Sequence, residues 1–583
     1  MVISFLVYNI GIRRALAILR ASQIHIRKGG GTLLETFWEW LLQNGMLVLR
    51  FLQPLLALLI VFQIFTSMRS HRRAEQPLIL LDNLNTRDQI PVMYWENSIG
   101  RSKTSDIMLA DPTVSRDHAV LYRREEGWLV DDTGSKSGVR VNGRKIDATA
   151  PVHIGDSIAV GTTTLVMRKA NRPNAQKSSW FFDRRKGKRS ISPAFLLFLV
   201  SFFHFLISLP LWLTAEGFQW EAFLPFGLVT VLAWIFFGIS RRVLKRVNFE
   251  LETLALFLSG TGIILIGGVN PEDTYTQIAS LAIGMVIFCF ILWFIEEPDR
   301  VMRWRMLILI GGLGLLALNL LLGKVIGGAQ NWIKIGSFSF QPSEFVKIAL
   351  IFVGTSTLNR LQTAKNMTEF IGFSALCIGA LFFMGDFGTA CIFFLTFLII
   401  SFIRSGDVRS LIFICAVAVI GVFVILQLKP YIANRFAAWG NVWDYADSLG
   451  YQQTRVLSYS ASGGLFGMGI GQGELYKVAA SRSDLVFGML CEELGVLFAI
   501  IVAASIACLA LYTCALSSTS RSTLYSIAAC SAAGMLVFQS CLNIFGATDI
   551  LPLTGVTLPF VSMGGSSMMA VWGLLAFIKA SDE

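Results

Sequence analysis

The residues able to do chemistry stand in a few places. The longest polar stretch of the C-terminal half, about 429–484, carries Asp444, Asp447 and Glu474, and in it or on its flanks stand Lys429, Arg435, Arg455, Lys477 and Arg482. Carboxylates set among Lys and Arg can abstract a proton from a hydroxyl and hold an anion with charge-assisted hydrogen bonds. The His residues are His25, His71, His118, His153 and His204, so whatever chemistry the C-terminal half performs uses neither a His base nor a His-ligated metal. A carboxylate is then the natural base. Glu344, Lys347 and Asp386 lie near the ends of apolar runs, where an ionisable group is costly and usually faces a cavity or another such group. Glu344 and Lys347, at i and i+3, share one helical face, which suits either a structural pair or the polar wall of a cavity.

These residues must be positioned by membrane helices. The chain has 583 residues, of which 54% are hydrophobic and 15% charged, where a soluble domain is nearer a quarter charged. Polar residues gather in one block, roughly 67–190, and beyond it runs of about 20 apolar residues recur, the length that crosses a bilayer. A first span is expected at about 44–67. Others are expected near 192–213, 222–240, 250–268, 277–296, 304–322, 343–359, 368–384, 388–404, 410–428, 485–513, 523–545 and 557–579. The net charge of +11 resides in short loops, a positive-inside pattern more than a nucleic-acid footprint. Counting spans puts Arg241-Arg242, Arg300 to Arg303, Arg360, Arg404 and Arg521 on the inside, and Pro271 to Asp273, Gly328 to Ser337 and 429–484 on the outside. The basic run Arg184 to Arg189 reads as an anchor against anionic lipid, and the nine Cys residues, with no CxxC pair, as apolar packing residues. The expected division is therefore an amphipathic segment and membrane anchor (1–75), a soluble domain (76–170), a basic linker (171–190) and a polytopic membrane domain (191–583).

Residues 76–170 alternate short β-rich runs with turn signals such as Asp111-Pro112 and Asn142-Gly143, which predicts an all-β sandwich. Ile99-Gly100-Arg101, Ser115-Arg116-Asp117-His118, Gly134-Ser135-Lys136-Ser137-Gly138, Val141-Asn142-Gly143 and Gly155-Asp156 follow in order. This pattern resembles the forkhead-associated (FHA) domain, which binds phosphothreonine through loops at one end of its sandwich. The resemblance implies a phosphopeptide site of Arg101, Ser115, Arg116 and Ser137, with His118 supporting the loop. It also implies a phosphothreonine protein as partner. The family usually has Asn where this chain has Ser137.

The membrane part carries Gly328-Ala329-Gln330-Asn331-Trp332-Ile333, Gln341-Pro342-Ser343-Glu344, Gly385-Asp386-Phe387-Gly388, Gly450-Tyr451-Gln452-Gln453, Ser462-Gly463-Gly464 and Leu558-Pro559-Phe560 with Ser562-Met563-Gly564-Gly565. Together these resemble the SEDS family, the FtsW, RodA and SpoVE proteins, over about 250–583. The resemblance implies a glycosyltransferase that polymerises peptidoglycan strands from lipid II beside a class B penicillin-binding protein, in the cytoplasmic membrane of a bacterium, in division, elongation or sporulation. It implies a general base for the acceptor hydroxyl. The family's Asp stands about six residues before the Tyr of Gly-Tyr-Gln, which here is Tyr445. Asp444 lies one residue earlier and is the first candidate. Asp447 lies two later and is the second, since Asp447-Ser448-Leu449-Gly450 echoes an Asp-Pro-x-Gly. Substrate-binding candidates are Glu344, Lys347, Asp386, Arg435, Arg455 and Lys477. No cofactor is required by the sequence, although a divalent cation such as Mg2+ is an option for the diphosphate. The competing functions are a lipid II flippase or other transporter, and an inactive scaffold that recruits division proteins.

Overall fold

The computed structural model describes residues 33–70, 77–102, 105–124, 127–170, 191–214, 217–244, 248–326, 329–335, 338–357, 364–405, 408–409, 411–417, 419, 437–517, 520 and 522–582. The amphipathic segment expected before residue 33, the basic run 184–189 and Arg435 fall outside them.

Helix α1 (Leu33–Ser70) runs for 38 residues, and its stretch Leu47–Arg69 is apolar enough to cross a membrane. The soluble domain follows as eleven strands: β1 (Ile79–Asn83), β2 (Gln89–Val92), β3 (Glu96–Gly100), β4 (Ile107–Met108), β5 (Ala119–Arg124), β6 (Gly127–Asp132), β7 (Val139–Val141), β8 (Arg144–Lys145), β9 (Thr149–Val152), β10 (Ser157–Val160) and β11 (Thr163–Lys169). They form two sheets, ordered β2-β1-β11-β10-β7-β8 and β4-β3-β5-β6-β9. Alternate residues such as Leu81, Ile99, Leu121, Val130, Val139, Ile158 and Leu165 close the core between them. Asn142 and Gly143, both at positive φ, make the two-residue turn that joins β7 to β8.

The membrane part comprises α2 (Pro193–Trp212), a short hairpin of β12 (Leu213–Thr214) and β13 (Gly217–Phe218), α3 (Trp220–Arg242), α4 (Glu250–Gly267), α5 (Pro271–Ile295), α6 (Pro298–Leu322), α7 (Pro342–Thr357), α8 (Ala364–Phe383) and α9 (Phe387–Ser405). After the long loop come α10 (Tyr451–Gly463), α11 (Val486–Glu493), α12 (Val496–Ser517), α13 (Thr523–Ala547) and α14 (Gly565–Ala580). Among the described residues eight helices are long and apolar enough to span, and three shorter apolar helices accompany them. Apolarity all round is the mark of helices that face lipid or each other. The central α4 is buried along nearly its whole length.

Two expectations change in form. The run 485–513, read as one span, is two helices broken at Gly495, whose φ of 92° suits glycine alone. The segment expected as an outer loop around 328–337 is a three-stranded sheet, β14 (Lys324–Ile326), β15 (Ala329–Ile335) and β16 (Phe338–Phe340). The run 410–428 lies largely outside the described residues.

The soluble domain and the long loop sit at opposite ends of the bundle. Trp95, just before β3, packs edge-on against Tyr525 in the first turn of α13, with ring centroids 5.7 Å apart. The Tyr525 hydroxyl donates to the Ile295 carbonyl, at the end of α5. Arg124, the last residue of β5, pairs with Asp299 of α6 at 2.9 Å. At the far end of α13, Trp439 Nε1 donates to the Ile550 carbonyl, and at the far end of α5, Arg482 pairs with Asp273.

Candidate active site

The long loop is compact where it is described. Residues 442–450 form consecutive turns, with Asp444 N–H donating to the Asn441 carbonyl and Gly450 N–H to the Tyr445 carbonyl. A Cβ on Gly450 would lie 2.3 Å from the Val442 carbonyl oxygen, so the approach of the two backbones requires glycine. Val442 is buried beneath the turn, and Asp444 and Asp447 are both exposed on it, immediately before α10. The first turn of α10 fastens the loop in two directions. Gln453 donates to the Gly546 carbonyl and to Asp549, and Gln452 donates to the Ala479 carbonyl.

This geometry brings the Asp444–Asp447 turn and the short turn Leu475–Lys477 to the same end of α10. Lys477 pairs with Glu474 at 3.2 Å, both more than half exposed. That hydrogen bond and the carboxylate charge hold the Lys477 ammonium above its ordinary range. Arg455 lies over the Tyr451 ring, 5.3 Å from its centroid. The loop therefore presents exposed carboxylates and exposed cations together. Among the described residues, no three of His, Cys, Asp and Glu are grouped as metal ligands.

Asp549 is a residue that sequence reasoning missed. It sits at φ 59° just past α13, a conformation that Asp tolerates better than most, and its Oδ1 accepts from Gly440 N–H and Gln453. Its one local signal was a polar Thr548-Asp549 pair before Leu551-Pro552.

Inside the bundle the motifs converge in two groups. Asp386 accepts from Thr389 N–H, capping α9, and from the side chains of Asn331 on β15 and Gln341 before α7. Three separated motifs thus meet on one carboxylate. Lys347 Nζ donates to Glu344 at 2.8 Å and to Gln539 of α13 at 3.0 Å. Gln539 donates to the Thr557 carbonyl and hydroxyl, and Thr557 shares a 2.7 Å hydrogen bond with Ser567 of α14. Among the described residues, Glu344 Oε2, Ser343 Oγ and Asn331 Oδ1 are buried without a hydrogen-bond partner.

In the soluble domain the loops after β3, before β5 and before β7 gather at one end. Arg101 N–H donates to the Ser115 carbonyl, Lys136 N–H to the Ser115 hydroxyl, and the Ser137 hydroxyl to the Thr113 carbonyl. His118 is fully buried, accepts from Ser115 N–H at Nδ1 and reaches the Gly138 carbonyl from Nε2, so it staples two of these loops. Arg101 and Arg116 are exposed beside them. This end is opposite the one that carries Trp95 and Arg124.

A polytopic bundle with this polar loop and these converging motifs, joined to such a sandwich, defines a class. The family model described as a cell cycle protein, FtsW/RodA/SpoVE, matches residues 256–582, and the FHA domain model matches 97–161. The chain belongs to the FtsW/RodA/SpoVE family. It is 28% identical over 350 residues to the probable peptidoglycan glycosyltransferase FtsW of Wigglesworthia glossinidia brevipalpis, covering 56% of this chain and 91% of that one. It is 29% identical over 343 residues to the stage V sporulation protein E of Bacillus subtilis, covering 56% and 87%. A chain of a solved peptidoglycan synthase complex, described as coordinating polymerization and crosslinking, superposes with TM-score 0.49 at 25% identity over 57% of this chain and 97% of that one.

Proposed function

We propose that the chain is a peptidoglycan glycosyltransferase that polymerises lipid II at the outer face of a bacterial cytoplasmic membrane. The observation that carries this reading is the exposed Asp444–Asp447 turn, fastened onto α10 beside Lys477 and Arg455 in a chain whose relatives bear that activity in their names. The acceptor sugar hydroxyl attacks the anomeric carbon of the donor, the bond to the lipid diphosphate breaks, and the hydroxyl proton passes to a carboxylate, Asp444 first and Asp447 second. Arg455, Lys477 and Arg435 supply positive charge to the departing diphosphate, a role that a divalent cation would share. In this reading the Glu344–Lys347 pair and Asp386 form the polar wall of the substrate cavity, and the buried, unpartnered atoms of Glu344, Ser343 and Asn331 support it.

The partner for cross-linking is a class B penicillin-binding protein. The FHA domain lies on the cytoplasmic side and the long loop outside, which matches their placement at opposite ends of α5 and α13. Arg101, Ser115, Arg116 and Ser137 read a phosphothreonine protein there, and so place wall synthesis under phosphorylation control.

The buried polar chain from Glu344 to Ser567 also suits a lipid II transporter. One experiment separates the two. The purified protein with its penicillin-binding partner is given lipid II in detergent, where there is no second leaflet. Glycan strands on a gel support the polymerase. No strands from a folded, partnered protein leave the transporter.

A further inference from the structure

Helix α1 lies outside the segment that matches the family, yet it reaches the long loop. The loop-side end of its apolar stretch Leu47–Arg69 carries Arg50 and Phe51. Phe51 packs on Phe466 with ring centroids 4.6 Å apart, and the Arg50 guanidinium lies where a side chain on Gly469 would stand, 3.0 Å from an ideal Cβ. Leu211, at the loop-side end of α2, covers Gly471 in the same way at 3.1 Å. These residues form one wall around the segment 466–473.

The other wall is α11. The Glu492 and Glu493 carbonyls accept from Met468 N–H and Gly469 N–H, each at 2.9 Å. The Glu493 carboxylate accepts from Gly471 N–H at 2.8 Å, and the Glu492 carboxylate from Glu474 and Leu475 N–H at 2.8 and 3.0 Å. Between the walls the chain holds Gly467, Gly469, Gly471 and Gly473. Gly467 and Gly469 sit at φ 80° and 106°, and a Cβ on Gly467 would lie 2.2 Å from the Glu493 carbonyl oxygen. A glycine run has few side-chain contacts of its own and loses about 1–2 kcal/mol of backbone entropy per residue when fixed. Its conformation therefore depends on what flanks it. The segment leads directly into Glu474–Lys477, the turn that shares an end of α10 with Asp444 and Asp447.

We propose that Arg50 and Phe51 of the accessory helix are positioning residues for the reaction: they clamp segment 466–473 against α11 and so fix the Glu474–Lys477 turn beside the Asp444–Asp447 turn. The proposal rests on the glycosyltransferase reading. A flat guanidinium over a bare glycine peptide covers it more closely than a flexible ammonium can. A site held out of register by about 1 Å loses on the order of a hundredfold in rate, so the effect falls on kcat. That apolar stretch ends about 29 Å away at Arg69, ahead of the FHA domain, and is anchored there by Ser67 donating to Glu250 at 2.9 Å.

The test uses the full chain in lipid nanodiscs with its penicillin-binding partner. Arg50→Ala, Phe51→Ala, the conservative Phe51→Tyr and the lipid-facing control Leu59→Ala are compared by amide hydrogen exchange and by kcat and KM for lipid II. Expected for both alanine variants at Arg50 and Phe51 is exchange of the 466–475 amides faster by at least about tenfold, kcat lower by at least about tenfold and KM within about twofold. Phe51→Tyr and Leu59→Ala behave as wild type. Should Arg50→Ala unfold, Phe51→Ala and its tyrosine rescue decide. Unchanged exchange overturns the proposal, and so does faster exchange with unchanged kcat. If wild type itself makes no glycan, the glycosyltransferase reading falls, while the exchange arm still shows whether Arg50 and Phe51 clamp the segment.

Discussion

Replacing Lys347 by Met leaves the Glu344 carboxylate buried without its cation. The two side chains are 2% and 5% exposed and 2.8 Å apart, so solvent screens them little. Removing one partner of such a pair costs about 3–5 kcal/mol, chiefly because the survivor is an uncompensated buried charge. Glu344→Gln costs a similar amount, since Lys347 is then a buried cation with only neutral amide oxygens beside it. The double variant Glu344→Gln/Lys347→Met removes both charges and costs roughly 1–2 kcal/mol, the loss of the Gln539 hydrogen bond included. The coupling between the sites is then about 4 kcal/mol or more. At about 2 °C per kcal/mol for a large domain, each single variant melts roughly 5–10 °C below wild type and the double variant only a few degrees below. Thermal unfolding of the four proteins in one detergent measures this. Additive single effects, or singles within about 0.5 kcal/mol of wild type, refute Glu344 and Lys347 as a coupled buried ion pair on α7.

Three further outcomes follow from the soluble domain. Arg101→Ala abolishes capture of a phosphothreonine peptide in a binding titration while lipid II polymerisation by the same protein is unchanged; retained capture rejects the assigned site. The Thr113, Thr162 and Thr163 hydrogen bonds hold the Asp111 carboxyl below its ordinary range, so its contribution to stability is complete above about pH 4 and is lost as pH falls toward the depressed value. Denaturant unfolding of the FHA domain accordingly weakens as pH drops below about 4, and Asp111→Asn flattens that limb; an unchanged acid limb in the variant contradicts the assignment. The Trp95–Tyr525 ring contact contributes about 0.5–1.5 kcal/mol, and Asp299, 46% exposed, adds little to it through Arg124. Trp95→Ala therefore broadens the distance between spin labels on the FHA domain and on α6, and an unchanged distribution argues against this docking.

The span pattern and the FHA sandwich could be read from the sequence because both rest on local periodicity. Among the described residues most of the apolar runs became helices, although the last, expected over 557–579, begins only at Gly565, and Asn142-Gly143 became the left-handed turn that its dipeptide requires. Gly495 was read inside one span although Glu492-Glu493 just before it already interrupt the apolar run, and the break itself depends on packing against Leu465 and Gly467, about thirty residues earlier. The sheet β14–β16 was hidden because Lys324–Phe340 reads as a polar outer loop, and its pairing is fixed by Gln330 and Asn331 reaching Met384 and Asp386, more than fifty residues away. For the same reason Asp386 read only as a costly charge, whereas the fold makes it the point where Asn331, Gln341 and the start of α9 meet. The contacts of Arg50 and Trp95 join segments far apart in the chain, and a helix that is apolar all round gives no sign of which residue faces which neighbour.

The central claim is that a carboxylate of the Asp444–Asp447 turn is the base for glycan polymerisation. Single-turnover polymerisation of lipid II by wild type, Asp444→Ala and Asp447→Ala, each with the penicillin-binding partner and each shown folded by its melting temperature, tests it most directly. The account predicts strands from wild type and a loss of at least about a hundredfold in one of the two variants, Asp444→Ala first. Wild-type rates in both variants would contradict it.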